Sequence, residues 1–404
     1  MSQLFPFRAL RPAPEAAEKV ASVPYDVVNA DEAKALAEGN PLSFLHVSRA
    51  EIDLPPGTDP YSDAVYAKAA ENFTALKAAA PMVEEAEPSL YVYRLHMGTH
   101  VQAGVAACFS IDEYDHDLIK KHEKTRPDKE DDRTTHMRTI GAQTGPVFLT
   151  YKAAPAIDAA VARVMEGAPL YDLTAPDGVR HVVWRVPAAE TVALVEGFGA
   201  LPSLYIADGH HRAASAARNR RAMADRGPGE HDRVLAVAFP DDQMQILPYN
   251  RVVKDLGGRT PEAFLAALGE VATVTEGGPA TPARAGQVAM YLGGAWYTLD
   301  LGEAPADAAP DARLDVSRLQ DLVLAPLLGI HDVRTDKRID FVGGIRGTGE
   351  LERLVGSGAW AVAFSHYPVS VADLMSIADA GGIMPPKSTW FEPKLRDGLL
   401  SHLI

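Results

Sequence analysis

Residues 203–220, SLYIADGHHRAASAARNR, leave the chain little choice of local structure. An apolar strand-like run ends at Ala207, and alanine-rich, helix-forming sequence runs on from Ala213. Asp208 and Gly209 occupy the turn between them. Asp is a good N-cap, and Gly lets the backbone turn tightly or lets a ligand come close. His210, His211 and Arg212 then fall in or before the first helical turn, where backbone N–H groups are unpaired and the helix dipole is positive. Cation-forming side chains have the wrong sign there. An anion arriving from outside restores the balance, and helix N-termini hold phosphate for this reason. Arg212 offers a planar fork to phosphate oxygens, and the histidines add donors. The competing account is an N-capping Asp followed by surface polar residues. So many site-type residues in one corner favour anion binding. Neighbouring helical positions diverge by about 100°, so His210 and His211 do not naturally share one metal ion.

The rest of the chain mixes hairpins with strand–helix alternation. SDAVYAKAAENFTALKAA reads as an amphipathic helix, SLYVYRLHM and VQAGVAACFSI as strands around a turn, and GQVAMYLGGAWYTLDL as a hairpin turning at GG. Pro127 is expected to interrupt helix within the charged run after residue 112. Pro326 is expected to bend or end the apolar helix DVSRLQDLVLAPLLGI. At 404 residues the chain suits two or three domains. DLGGRT, residues 255–260, marks a plausible boundary, giving a region 1–255 and a C-terminal α/β domain 256–404. The fold class expected is α+β, that is, mixed α/β.

Two further clusters carry chemistry. KKHEKTRPDKEDDR, Lys120 to Arg133, holds both signs of charge. Most such runs are solvated loops. Its functional reading makes Glu123 a general base beside His122, with Lys124, Thr125 and Arg133 toward phosphate and Asp131 toward magnesium. From Gly381 the sequence nearly spells a phosphate-binding loop ending in Lys387 and Ser388. Pro386 stands where the second glycine belongs, however, and has no N–H to donate, so that motif is rejected. Lys387, Ser388 and Thr389 still offer side chains to an anion, while Trp390 and Phe391 pin the tail to a core. Asp26, in the stiff turn VPYDVV, and Asn250 and Arg251, in a strand with one face outward, complete the candidate substrate contacts.

FPFRALRP, VPYDVV, HEKTRPDKEDDR, YIADGHHR, ILPYNRVV, LQDLVLAPLLGI and MPPKSTWFEPKLRDGLL resemble, in order and over nearly the whole chain, the domain of unknown function 1015 family. DGHHR after a strand is similar to the phosphate-binding motif of the ParB/sulfiredoxin-like fold. Its double-histidine form resembles that of free serine kinases, which phosphorylate serine with ADP or ATP. The resemblance implies a ParB/sulfiredoxin-like core with an N-terminal elaboration. It places Asp208, Gly209, His210, His211 and Arg212 at the nucleotide-phosphate and transfer site, and Glu123 as the upstream carboxylate base. It also implies ATP or ADP with Mg²⁺.

The function expected is therefore phosphoryl transfer between a nucleotide and a small hydroxy amino acid, most readily serine. One alternative is phosphatase-type hydrolysis of phosphoserine at the same site, with His211 or Glu123 as base. Another is a non-enzymatic, nucleotide-binding ParB-like switch. A net charge of −15 disfavours a broad grip on nucleic-acid phosphates. No apolar run approaches the length of a membrane helix and no signal-peptide core opens the chain, so a cytoplasmic protein without membrane partners is expected. A homodimer is compatible with the sequence. Cys108, the only cysteine, is expected to pack as a small hydrophobe.

Overall fold

The computed structural model describes residues 2–80 and 82–404. It is mixed α/β, as expected. The chain forms two compact units, one of Met1–Met244 with Pro393–Ile404 and the other of Gln245–Glu392. The change therefore falls before the strand that carries Asn250 and Arg251, not after it at Asp255. The chain's last segment returns to the first unit, because its strand Ser401–Leu403 pairs there with both Ala9–Pro12 and Ala142–Gln143.

The first unit is built on a nine-stranded sheet. Its strands are β1 Leu4–Phe5, β2 Tyr91–Met97, β3 His100–Ser110, β4 Ile119–Lys120, β5 Val147–Tyr151, β6 Tyr171–Thr174, β7 Arg180–Arg185, β8 Leu204–Asp208 and β9 Arg233–Pro240. They lie in the order β4-β8-β5-β9-β3-β2-β7-β6, with β1 also on β3. Only β4–β8 and β5–β9 are parallel among these neighbours. Such pairs need crossovers, and two helices supply the ones that matter: α1 Pro127–Ile140, and α2 His210–Ala222. The core is continuous from Val105, Ala107 and Phe109 of β3 through Val147 and Leu149 of β5 to Ile206, Ala213 and Ala217. The small alanines of α2 let that helix sit close to the sheet. Cys108 is fully buried, as its apolar setting implied.

The second unit has a six-stranded sheet: β10 Tyr249–Val253, β11 Thr273–Glu276, β12 Gln287–Leu292, β13 Ala295–Asp300, β14 Ile339–Gly343 and β15 Val362–His366, in the order β11-β13-β12-β15-β10-β14. The β12–β13 hairpin turns at Gly293–Gly294, as read from the sequence. One face of the sheet packs Val253, Val288, Met290, Val362 and Phe364 against Phe264, Leu319, Val323 and Leu324.

Both prolines act differently from the expectation. Pro127 begins α1 instead of interrupting it, because the first helical position has no N–H bond to lose. Ahead of Pro326 the helix widens into a π-type turn, Gln320–Leu324, which accommodates the missing donor and lets a last turn, Ala325–Leu328, follow. Among the described residues, no helix is long and apolar enough to cross a membrane.

Candidate functional site

Strand β8 ends at Asp208, and Gly209 takes a left-handed conformation, φ 91°. Helix α2 then starts at once with His210, three residues before the alanine-rich stretch. Gly209 is required twice over. A side chain there would be strained by that φ, and its Cβ would lie 3.0 Å from Arg212 Nε, which curls back over the turn. The Gly209 N–H donates to the Asp208 carboxylate at 2.9 Å, fixing the corner.

The charged segment that follows β4 lies directly against this corner. The His122 N–H donates to His210 Nε2 at 3.4 Å, and the Arg126 N–H donates to His211 Nε2 at 3.1 Å. The His122 and His210 rings meet edge-on, centroids 4.4 Å apart. The bond to Nε2 leaves the His210 proton on Nδ1, and the Glu123 carboxylate lies 3.6 Å from that atom. Glu123 itself is about 44% exposed. Helix α1 is tied to α2 by Ser215 Oγ donating to the Glu130 carbonyl and by Arg218 reaching Glu130 and Asp131. The two clusters of the sequence thus form one site.

The electrostatics differ from the expectation of a cation-rich first turn. Burial pulls the His210 imidazolium well below its ordinary pKa, reinforced by the neighbouring His122, so His210 is neutral. His122 is drawn down to about 4 by burial, against the opposing pull of Asp208. Arg212 is not a fork waiting in a cleft. It is buried, it donates to the Pro146 carbonyl, and it lies 3.6 Å from Asp26 and 3.8 Å from Asp208. Burial would lower its pKa, but Asp26, Asp208 and Asp397 outweigh that and raise it. Its charge is balanced from inside the protein. Arg133 is likewise committed: its guanidinium bonds Asp132 at 2.8–2.9 Å and stacks on the Tyr25 ring at 4.1 Å.

Two residues of the returning segment complete the site, and sequence reasoning passed over both. Lys394 donates to Asp208 at 3.0 Å. Burial pushes the Asp208 carboxyl up, yet Lys394 and Arg212 prevail and hold it below the usual carboxylate range. Asp397 is buried, and burial lifts its pKa to about 7 despite the attraction of Arg212. A pocket of about 40 Å³, room for water but not for a nucleotide, lies among Tyr25, Arg133, His136, Thr144, Arg212 and Asp397. Both lie in the block MPPKSTWFEPKLRDGLL, which carried the family resemblance but gave neither residue a role in the site.

Of the other candidates, Thr125 Oγ donates to Glu130, and Lys124 is exposed near Glu123. Asp131 faces Arg218, not other oxygen ligands. Among the described residues, no group of three or more His, Cys, Asp or Glu is placed to hold a metal ion. Asn250, Arg251, Lys387, Ser388 and Thr389 belong to the second unit. There the Ser388 hydroxyl donates to the Pro385 carbonyl, Asn250 Oδ1 accepts from the His366 N–H, and Arg251 is buried instead of lying on an outward strand face.

Among solved structures, the chain is similar to a free serine kinase in complex with AMP, with 13% identity, 73% of this chain and 92% of the other covered, and a TM-score of 0.37. It is also similar to a conserved hypothetical protein from Pyrococcus furiosus, with 14% identity, coverage of 74% and 95%, and a TM-score of 0.37. A third is SbnI with C-terminal truncation from Staphylococcus aureus, with 14% identity, coverage of 72% and 85%, and a TM-score of 0.39. No curated protein matches the chain. The model of one protein family, described as protein of unknown function (DUF1015), matches residues 4–317, a span that holds the sequence blocks from FPFRALRP to ILPYNRVV, and the chain belongs to the DUF1015 family.

Proposed function

We propose that the first unit transfers a phosphoryl group between a nucleotide, ATP or ADP, and the hydroxyl of a small amino acid such as serine. The observation that carries this reading is the meeting of Glu123 with the start of α2. A half-exposed carboxylate stands 3.6 Å from His210 Nδ1, beside a helix N-terminus that opens on a left-handed glycine. A base and an anion-accepting backbone turn are the two parts that phosphoryl transfer asks of a protein, since most of its catalysis is positioning and charge stabilisation.

In this reading the first-turn N–H groups hold phosphate oxygens, and exposed Lys124 adds positive charge. Glu123 takes the proton from the attacking hydroxyl as the new P–O bond forms. The bond from the transferred phosphorus to the nucleotide oxygen breaks, and the electron pair leaves with the nucleotide. The neutral His210 ring, its proton directed at Glu123, orients that carboxylate. Arg212 has a different part from the one its sequence position implied. It secures Asp26 and Asp208 and thereby the shape of the corner.

Magnesium is commonly held by one or two carboxylates together with the substrate phosphates, but Asp26 and Asp208 already face Arg212, Asp208 is also bonded by Lys394, and Asp131 faces Arg218, so these carboxylates do not fit the ion. Hydrolysis of phosphoserine is the competing chemistry for the same base.

The test is the full chain with serine and ATP or ADP, followed by phosphoserine formation, with phosphoserine alone as a parallel arm. Glu123→Gln should lower turnover by about 10²–10⁴-fold while nucleotide affinity and thermal stability stay unchanged. Phosphate release from phosphoserine without nucleotide would replace the kinase reading with the hydrolytic one. Turnover undiminished in Glu123→Gln would remove the base.

A further inference from the structure

In the second unit, one face of the sheet changes character along its strands. Val253, Ile339 and Val362 form an apolar row across β10, β14 and β15. Two residues along, the row is Arg251, Phe341 and Phe364. Because side chains alternate with period two, Tyr249, Gly343 and His366 follow on the same face. Trp390 lies across this end. Its ring is 5.2 Å from that of Tyr249, and a Cβ on Gly343 would come within 2.7 Å of it, so the glycine makes room for the indole. Lys387 Nζ stands 5.4 Å from the Tyr249 ring centroid.

This end of the face gathers more positive than negative charge: Arg251 and Lys387 stand against the buried Glu392 carboxylate, which accepts from Trp390 Nε1 at 2.7 Å. Arg251 is 2% exposed, and its contacts are the Tyr249 carbonyl and the Phe341 ring, with no carboxylate among them. His366 is 1% exposed, and neither ring nitrogen has a hydrogen-bond partner. Burying a guanidinium uncompensated is costly, and proteins pair such groups or neutralise them. Burial accordingly pulls Arg251 down to about 9, and burial with the nearby Arg251 pulls His366 well below its usual value. Lys387 holds a left-handed backbone, φ 59°, that a lysine adopts only under strain. A buried cation, an imidazole with neither nitrogen partnered and a strained exposed lysine converge on one aromatic-walled corner.

We propose that this corner is a second ligand site, independent of the Glu123 site, which takes the oxyanion group, carboxylate or phosphoryl, of a small molecule. The Arg251 fork matches either group in two-point contact, His366 supplies a further donor, Lys387 closes over the charge, and Trp390, Tyr249 and Phe341 receive the ligand's apolar or flat part.

The test titrates the full chain with inorganic phosphate and, separately, with acetate, by calorimetry and intrinsic tryptophan fluorescence. Whichever anion binds names the group. Arg251→Met should weaken that binding at least tenfold, and Glu123→Gln should leave it unaltered. Lys387→Gly is the sharper variant. Glycine suits φ 59°, so the protein should melt at a higher temperature while binding the anion several-fold more weakly. Binding of neither anion at millimolar concentration overturns the proposal, as does binding of equal strength in wild type, Arg251→Met and Lys387→Gly.

Discussion

Arg212 and Arg251 are both buried, each in its own unit, and they are compensated in opposite ways. Around Arg212 stand Asp26, Asp208 and Asp397, and their combined attraction raises its pKa above the ordinary arginine value in spite of burial. Around Arg251 stand aromatic rings and a carbonyl, and burial draws its pKa down to about 9. The same side chain is thus a structural keystone in one place and an uncompensated charge in the other. Residue type alone says little about role. The sign and number of the groups packed around it say more.

Removing the two guanidiniums should separate these roles. Arg212→Met leaves Asp26, Asp208 and Asp397 crowded together with Lys394, on Asp208, left to offset them. Breaking a buried charge cluster this way costs about 3–5 kcal/mol, measurable by denaturant unfolding at neutral pH. A loss under about 1 kcal/mol would show that Arg212 is held for a ligand and not for the fold.

Asp397 gives the next largest effect. Its folded pKa of about 7 lies above the unfolded value of about 3.9. Between those values the native state keeps a proton that the unfolded chain has released. The stabilisation is therefore complete below about pH 4 and disappears as pH rises toward 7, at up to about 1.4 kcal/mol per pH unit. Compared with Asp397→Asn, the wild type should lose stability across that window, and neutral buried histidines such as His122 and His136, common to both proteins, cancel in the difference. Parallel stability curves would mean that Asp397 is ionised throughout.

Arg251→Met should have the smallest effect, within about 1 kcal/mol of wild type or more stable, because an uncompensated burial is relieved. A loss comparable to that of Arg212→Met would erase the contrast between the units.

The DGHHR corner was legible in the sequence because it rests on local rules: an apolar strand, a glycine that permits the turn, and alanine-rich helix beyond. Its electrostatics were not. Whether His210 is charged depends on His122 and on burial, and whether Arg212 is available depends on Asp26, Pro146 and Asp397, all far off in the sequence. The hairpin at Gly293–Gly294 and the mixed α/β class followed from pattern and turn chemistry. The boundary near residue 244 did not, since the chain crosses it without a Gly- or Pro-rich linker and the closing strand Ser401–Leu403 has no periodicity long enough to read. The burial of Arg251 was not legible, because alternation alone does not say which face of a strand is covered.

The bond between Lys394 and Asp208 joins positions 186 residues apart. During synthesis, the corner that carries DGHHR must therefore wait for its lysine, and for Asp397, until the whole of residues 245–392 has left the ribosome. A chain stalled inside that stretch carries Asp208 and Arg212 with two of their counter-charges still unmade, so the first unit reaches its final charge balance only after the second has been written out in full.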